Sequence, residues 1–274
     1  MLDALQLEFM RNAILAGFLA SIACGIIGSL IVVNRIVFIS GGIAHAAYGG
    51  VGLALYFGFS PTVGATGFSL FVSVIMALVT LQNKQRADTI VGVVWAVGMA
   101  LGVILVDLTA GYNVDLMSYL FGSILAVPRS DLWMMLAVDL LILIAVGFYY
   151  NDFLAMSFDE EFSIAMGIPV RVLYILLLAM IAFSIVMIIR LVGLILVIAL
   201  LTIPPYIAEK YSESLKTMMF LSVVSSTSFI LIGLWLSYAF NLTSGATIIM
   251  VAAAFFFVSL LVEKVRRGRQ GGEG

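Results

Sequence analysis

The only histidine of the chain, His45, lies among small residues in the stretch SGGIAHAAYGG, residues 40–50. A neutral imidazole is the commonest metal ligand in proteins and also accepts protons. Asp139 is a second ionisable side chain, near the middle of a long apolar run. An ionisable group is costly to bury in lipid, so it indicates a functional site. His45 and Asp139 are therefore the candidate metal ligands. The structural alternative for His45 is a single hydrogen bond to a neighbouring helix.

Motifs for catalysis are absent from the sequence. No phosphate-binding loop of the form GxxxxGKS or GxxxxGKT occurs, so the chain cannot drive transport with ATP by itself. GxSxG and HExxH motifs are also absent, which argues against an intramembrane hydrolase. We therefore predict no catalytic residues, no enzyme activity and no permanently bound cofactor.

The composition is that of an integral membrane protein. Of the 274 residues 64% are hydrophobic and only 10% are charged, and the mean hydropathy is +1.22. An ordinary soluble domain is about 45–50% apolar and about 25% charged. Because a globule of this size cannot bury such an excess, its surface must face lipid. We expect membrane lipid as a partner. Nucleic acid is not expected, since the net charge is -2 and no basic face is present.

Apolar runs that could cross a bilayer follow one another along the chain, which predicts a single all-α transmembrane domain over residues 1–274. About 20 residues cross the bilayer core, and the backbone there must be helical. The run at 191–205 is short and reaches Pro204 and Pro205, so we expect a broken or partial helix there and eight or nine spans in total. The runs cover residues 12–33, 38–57, 62–80, 89–107, 131–150, 171–189, 191–205, 216–238 and 245–263.

The basic residues predict an orientation. With nine spans the termini lie on opposite sides of the membrane. If the basic tail at 264–274 is cytoplasmic, ten of the 13 lysines and arginines lie inside and only Arg11, Arg129 and Arg190 lie outside. This asymmetry follows the positive-inside rule. We therefore expect a multi-pass protein whose C-terminus is cytoplasmic.

Small residues recur on the helix that contains His45. Gly42, Ala46 and Gly50 are spaced four residues apart and so share one helix face. Such a stripe lets neighbouring backbones approach closely in membranes, where packing drives helix association. The stripe predicts that this helix lies deep in the bundle.

The two longest loops contain further helix signals. In the inner loop, FDEEFSIAMGIP at 158–169 predicts a short amphipathic helix ended by Gly167. Its acidic residues suit a helix N-terminus: Asp159, Glu160 and Glu161. Its apolar positions follow the spacing of one helix face: Phe158, Phe162, Ala165 and Met166. This face either packs on the protein's own spans or docks a cytosolic partner. In the outer loop, Thr109–Asp131, we expect a re-entrant or interfacial helix.

Five segments occur together in the order and spacing of a known family. They are residues 9–46, DTIVGVV at 88–94, DLMSYLFGSILAV at 115–127, FDEEFSIAMGI at 158–168 and VGLILVIALLTIPPYIA at 192–208. The chain resembles the membrane permease subunit of the zinc, manganese and iron uptake ABC transporters of bacteria and archaea.

The resemblance implies a fold similar to the cobalamin and siderophore permeases, also called type II importers. It implies a homodimer in the cytoplasmic membrane and two copies of a separate ATP-binding subunit beneath it. Each ATPase would receive the coupling helix at about 158–168, through Phe158, Asp159, Glu160, Glu161, Phe162, Met166 and Gly167. An extracytoplasmic metal-binding protein would deliver zinc, manganese or iron, which is moved by alternating access as the partner uses ATP.

One departure from the family concerns the candidate metal site. Many members read G-D-x-x-x-H where this chain reads SGGIAH, so Gly41 stands at the aspartate position while His45 keeps its place. Zinc and manganese usually take several nitrogen or oxygen ligands. Two alternatives to a metal-ion permease stay open: an ABC permease for a metal chelate such as a siderophore or cobalamin, and a secondary carrier that uses His45 and Asp139 as a relay.

Overall fold

The computed structural model describes residues 7–82, 86–109, 122, 124 and 127–270. These residues form ten α-helices and no strand. In chain order the helices are α1 Glu8–Val33, α2 Val37–Phe57, α3 Pro61–Gln82, α4 Ala87–Asp107, α5 Arg129–Phe148, α6 Tyr150–Phe158, α7 Glu160–Ala165, α8 Val170–Glu209, α9 Leu215–Phe240 and α10 Ser244–Gln270.

Eight helical segments in the described part of the chain are long and apolar enough to cross a membrane, and the segment Gly193–Glu209 is a shorter apolar helix. The predicted all-α, multi-pass architecture with eight or nine spans is confirmed. The helix expected within Thr109–Asp131 falls mostly on residues outside the described ranges, so it stays a prediction.

Helix α8 is a hairpin of two arms. A straight helix of its 40 residues would be about 60 Å long, twice the thickness of the bilayer core. The break lies at Gly193, whose backbone angles of φ 78° and ψ 166° are not helical. A residue with a side chain rarely adopts such a positive φ, which explains the glycine.

Both ends of α8 lie on the same face of the bundle. The chain enters α8 directly from α6 and α7, and after α8 it returns to α6, because Lys216 Nζ lies 4.7 Å from the ring centroid of Tyr150. At the same end Lys210 Nζ lies 2.8 Å from Oε2 of Glu263, near the end of α10. We call this side of the molecule the α7 face.

The broken or partial helix predicted at 191–205 is confirmed. The break lies at Gly193, and the second arm of α8 continues from there through Pro204 and Pro205 to Glu209. Pro205 has no N–H to donate to the carbonyl of Leu201, one turn earlier. Helix α1 packs directly against this turn: a Cβ on Gly28 would lie 2.6 Å from Leu201 O and 2.7 Å from Pro205 Cγ. Packing from a neighbouring helix is what allows a transmembrane helix to contain proline.

The core consists of α1, α2 and the first arm of α8, which are mostly buried, whereas α4 and α5 expose most of their surface. Helix α1 packs on α8 and α9, and four of its alanines are fully buried: Ala13, Ala16, Ala20 and Ala23. Side chains this short let helices pack closely where lipid supplies no hydrophobic driving force. The second arm of α8 packs on α9 and α10 through Ile203 and Ile207.

Polar contacts fix the helix ends at both faces. At the α7 face the Asn34 amide donates hydrogen bonds to Leu30 O at 2.8 Å and to Ser157 Oγ at 2.9 Å, which ties the α1–α2 turn to α6. At the opposite face, which we call the α1 face, Arg129 Nε lies 2.8 Å from Glu8 Oε1 and joins the first residues of α5 and α1.

Candidate functional site

The backbones of α2 and α4 lie in direct contact with each other. A Cβ on Gly49 would lie 2.7 Å from Gly98 O, and a Cβ on Gly52 would lie 2.5 Å from Gly102 O. From the other helix, a Cβ on Gly98 would lie 3.0 Å from the Cα of Ala46. Only hydrogen fits at these glycines, so α2 and α4 form one glycine seam.

Each residue of the predicted small stripe faces a neighbouring helix. A Cβ on Gly42 would lie 2.7 Å from Val91 Cγ1 of α4 and 3.0 Å from Met76 Cε of α3. Ala46 lies against Gly98, and a Cβ on Gly50 would collide with the backbone of Gly64. Gly49 and Gly64 were not predicted, because the spacing of residues within one helix does not reveal which glycine faces another across an interface.

The His45 side chain lies flat against Trp95 of α4. The ring centroids are 4.1 Å apart and the planes differ by 9°. The imidazole is half-buried, and its Nδ1 is buried without a hydrogen-bond partner among the described residues. The alternative of a hydrogen bond to a neighbouring helix therefore finds no support at Nδ1. Trp95 was missed because it approaches His45 from a different helix.

Gly41, one turn before His45, has room around it. A Cβ there would meet only Ile198 Cδ1 of α8, at 4.0 Å, an ordinary van der Waals distance. Close packing therefore does not explain this glycine, unlike Gly42 one position later. An aspartate Cβ fits at the position where many family members have that residue.

Asp139 lies elsewhere in the bundle. Its side chain is 1% exposed, and neither carboxyl oxygen has a hydrogen-bond partner in the described part of the chain. Helix α5 packs chiefly on α1. The Asp139 carboxyl group interacts electrostatically with Cys24 of α1. Helix α2 instead packs on α3, α4 and α8. The structure thus does not bring Asp139 and His45 together.

No complete metal site is formed by the described residues. Among them no group of three or more histidine, cysteine, aspartate or glutamate side chains could hold a metal ion. His45 has a buried Nδ1 without a described partner, and Gly41, one turn earlier, has room for a side chain. Tight binding would need further ligands.

The short helix predicted on the inner loop is present as α7. The Asp159 carboxylate caps it by accepting a hydrogen bond from the Phe162 N–H at 2.9 Å, and Glu160 and Glu161 occupy its first turn. The chain leaves the helix through Gly167, whose φ is 81°. The predicted start at Phe158 was wrong. Asp159 is extended, with φ -150° and ψ 102°, so Phe158 is the last residue of α6.

The apolar side chains on and beside α7 point into the surroundings. Phe158 is 82% exposed, Phe162 59% and Met166 67%, and Ala165 is also exposed. Ile164, which was not part of the predicted face, is exposed too. These side chains do not pack on the protein's own spans, whereas the buried Ser163 faces the bundle.

The chain matches the model of the ABC 3 transport family over residues 6–263. A membrane protein of Synechocystis sp., described as uncharacterized, is 54% identical over 260 residues, which cover 95% of this chain and 92% of that protein. The manganese transport system membrane protein MntC of Listeria innocua is 33% identical over 257 residues, with 94% of this chain and 91% of that protein covered.

Two solved structures resemble the fold. PsaBC from Streptococcus pneumoniae, in complex with a Fab, has a TM-score of 0.84 and 33% identity, covering 94% of this chain and 93% of that one. A metal-chelate type ABC transporter in an inward-facing conformation has a TM-score of 0.72, with 92% and 85% covered. At 17% identity this second likeness concerns the fold alone. The expected similarity to the chelate-type permeases is thereby confirmed.

Proposed function

Since the chain belongs to the ABC 3 transport family, we propose that it is the permease subunit of an importer that moves a divalent transition metal ion across the cytoplasmic membrane. The ion is zinc, manganese or iron, and it is the transported substrate. ATP is used by a separate ATPase subunit, consistent with the missing phosphate-binding loop. Transport proceeds by alternating access in a complex that contains two copies of this chain.

The exposed apolar surface of α7 is the observation that carries this proposal. Phe158, Phe162 and Met166 expose large apolar side chains in a loop between spans. The helix is also capped at Asp159 and followed directly by the core helix α8, so a force on α7 reaches the bundle. Exposed apolar clusters of this kind mark protein interaction sites. The ATPase is the partner that the family provides for this position.

The α7 face is then the cytoplasmic face. Arg35, Lys210 and Lys216 lie at this face, as the positive-inside rule requires. The end of α10 lies on the same side, because Glu263 of α10 contacts Lys210. An extracytoplasmic metal-binding protein would therefore approach the α1 face, on the other side of the membrane.

His45 is the residue we propose to contact the ion on its way. Its buried Nδ1 has no partner among the described residues, and Gly41, one helical turn earlier, has room for a side chain. A pathway must release what it binds, so a weak site with few ligands suits transport better than a closed one. The second copy of the chain would contribute its own histidine.

Manganese is the first ion to test, because MntC of Listeria innocua and ScaB of Streptococcus gordonii are manganese transport proteins by name. The chelate permease is the alternative within the same fold. The secondary carrier is the weaker alternative, because among the described helices α5 packs chiefly on α1 whereas α2 packs on α3, α4 and α8, so no main helix contact links His45 to Asp139.

The decisive experiment measures the elemental content of metal-limited cells that lack this gene and of the same cells after its restoration. We expect a deficit in one transition metal, reversed by the wild-type gene and not by a Phe162→Asp variant. Unchanged metal content together with reduced uptake of a metal chelate would select the chelate permease. Restoration of metal content without the partner ATPase would instead select the secondary carrier.

A further inference from the structure

A groove runs between α1 and α5 at the α1 face. Its cavity has a volume of about 490 Å3, within the range of small-molecule sites. Arg11 and Arg129 stand at its upper end, and its walls include Leu15, Phe18 and Trp133. Neither α7 nor the surroundings of His45 belong to this groove.

Basic side chains line the upper end, with the carboxylates of Glu8 and Asp131 in the adjacent first turns of α1 and α5. Two arginines line the groove, and none of its described lining residues is acidic. Arg129 is held by Glu8, through the 2.8 Å contact between Nε and Oε1, while Arg11 lies one turn further along α1. The Asn12 amide donates to Val127 O at 3.2 Å and is thereby occupied. The groove therefore favours an anionic group at the arginines.

The wall below the arginines is apolar and open. Leu15 is 52% exposed and Phe18 48%, and they follow Arg11 by one and two turns on the same helix face. Leu136 follows Arg129 by two turns and is also exposed. Seven residues of helix rise about 10 Å, so the apolar walls extend roughly that far below the charges.

We propose that this groove binds an acidic phospholipid, with its phosphate at Arg11 and Arg129 and one acyl chain between α1 and α5. An acidic phospholipid has an anionic head group above its apolar acyl chains. This arrangement matches the groove, in which the arginines lie above the apolar walls. A soluble protein could reach the arginines but could not occupy walls that lie within the bilayer. The Trp133 side chain, 73% exposed, lies near the start of α5, and aromatic residues at the ends of spans are typical contacts of interfacial lipid. This inference does not depend on which ion is transported.

Trp133 provides a direct reporter of the bound lipid. The other two tryptophans are replaced in a Trp95→Phe, Trp235→Phe variant, so that all tryptophan fluorescence comes from Trp133. The full-length protein is reconstituted with brominated phosphatidylglycerol or with brominated phosphatidylcholine, and the quenching of Trp133 is compared. We expect phosphatidylglycerol to associate about fivefold more strongly, the size of one basic residue acting at a membrane surface.

Charge variants separate the proposed site from general membrane contact. Arg11→Gln should bring the preference for phosphatidylglycerol close to one, and Glu8→Gln should increase it by releasing Arg129. Lys216→Gln, at the opposite end of the bundle, is the matched control and should change nothing. Native mass spectrometry of the chain with its natural tryptophans, with and without Arg11→Gln, repeats the comparison by counting retained phosphatidylglycerol.

Equal quenching by the two lipids, with no change on Arg11→Gln in either measurement, would overturn the proposal. Equal quenching combined with loss of transport in Arg11→Gln would also overturn it. That result would assign the arginines to docking of the extracytoplasmic binding protein.

Discussion

The imidazole of His45 and the indole of Trp95 are stacked, with centroids 4.1 Å apart and planes 9° from parallel. The stack joins α2 to α4 beside the glycine seam, where Gly98 lies against Ala46. The orientation of the only imidazole in the chain is therefore set by a side chain on another helix. Any displacement of α4 along α2 would change the direction in which His45 presents its free nitrogen.

Replacing Trp95 by leucine should lower metal uptake while the complex stays assembled. Stacked aromatic pairs contribute about 0.5–1.5 kcal/mol beyond their burial, so we expect a roughly two- to tenfold decrease. Trp95→Phe keeps an aromatic face and should retain most of the activity. Uptake of radiolabelled manganese by cells measures the effect, with His45→Ala as the reference for complete loss. Full uptake by Trp95→Leu beside a defective His45→Ala would show that the stack is dispensable.

Gly41→Asp should strengthen the interaction of the pathway with the metal. The new Cβ meets only Ile198 Cδ1 at 4.0 Å, so the variant should reach normal abundance. A carboxylate and an imidazole one helical turn apart can bind the same divalent ion. We expect the KM for manganese uptake to fall by at least about tenfold, since even outer-shell partners change metal affinity by about 10–100-fold. Gly41→Asn, of similar size and uncharged, is the control. An unchanged KM in both variants would place the ion elsewhere.

Gly50→Leu should prevent normal assembly of the bundle. Its side chain would collide with the backbone of Gly64, and overpacking typically costs about 1–3 kcal/mol even where neighbours can move. Gly92→Leu is the matched control, because a Cβ on Gly92 meets no atom within 4 Å. Membrane abundance and thermal unfolding in detergent measure both variants. Equal abundance and equal Tm would refute the importance of close packing at α2.

Phe162→Asp should release or uncouple the ATPase. Its side chain is 59% exposed on α7, so the substitution leaves the core unchanged and removes only apolar contact surface. We expect the permease to reach normal abundance and the co-purified ATPase to fall by more than about tenfold, since central aromatic anchors of interfaces often contribute 2 kcal/mol or more. Phe57→Asp, 68% exposed at the other end of the bundle, is the control. If the complex with the Phe162→Asp variant stays assembled and coupled, α7 does not dock the ATPase and has another role.

The sequence predicted the spans well because lipid imposes one requirement on each of them, a long apolar helix. It also predicted α7, whose cap at Asp159 and final Gly167 are local signals. It predicted a broken or partial helix at 191–205, but it did not indicate which residue carries the break, because Gly193 is one glycine among 25. Gly193 acquires its role only when the hairpin closes against its neighbours.

Contacts between helices could not be predicted in the same way. The approach of Trp95 to His45 and the separation of Asp139 from His45 depend on which helices are neighbours. A single apolar sequence does not contain that information, because lipid-facing and protein-facing sides have nearly the same composition. The candidate residues were therefore found by their chemistry, and their surroundings only by the structure.

The hairpin of α8 determines whether the chain crosses the membrane an odd or an even number of times. Its two arms leave and return to one face, so they contribute no net crossing. The other seven spanning helices of the described residues are an odd number, so the start of α1 and the end of α10 lie on opposite sides. If only the eight full-length spans were counted, the number of crossings would be even. Every segment after Gly193 would then be assigned to the wrong side of the membrane. Reporter fusions placed before and after that residue should follow the odd count.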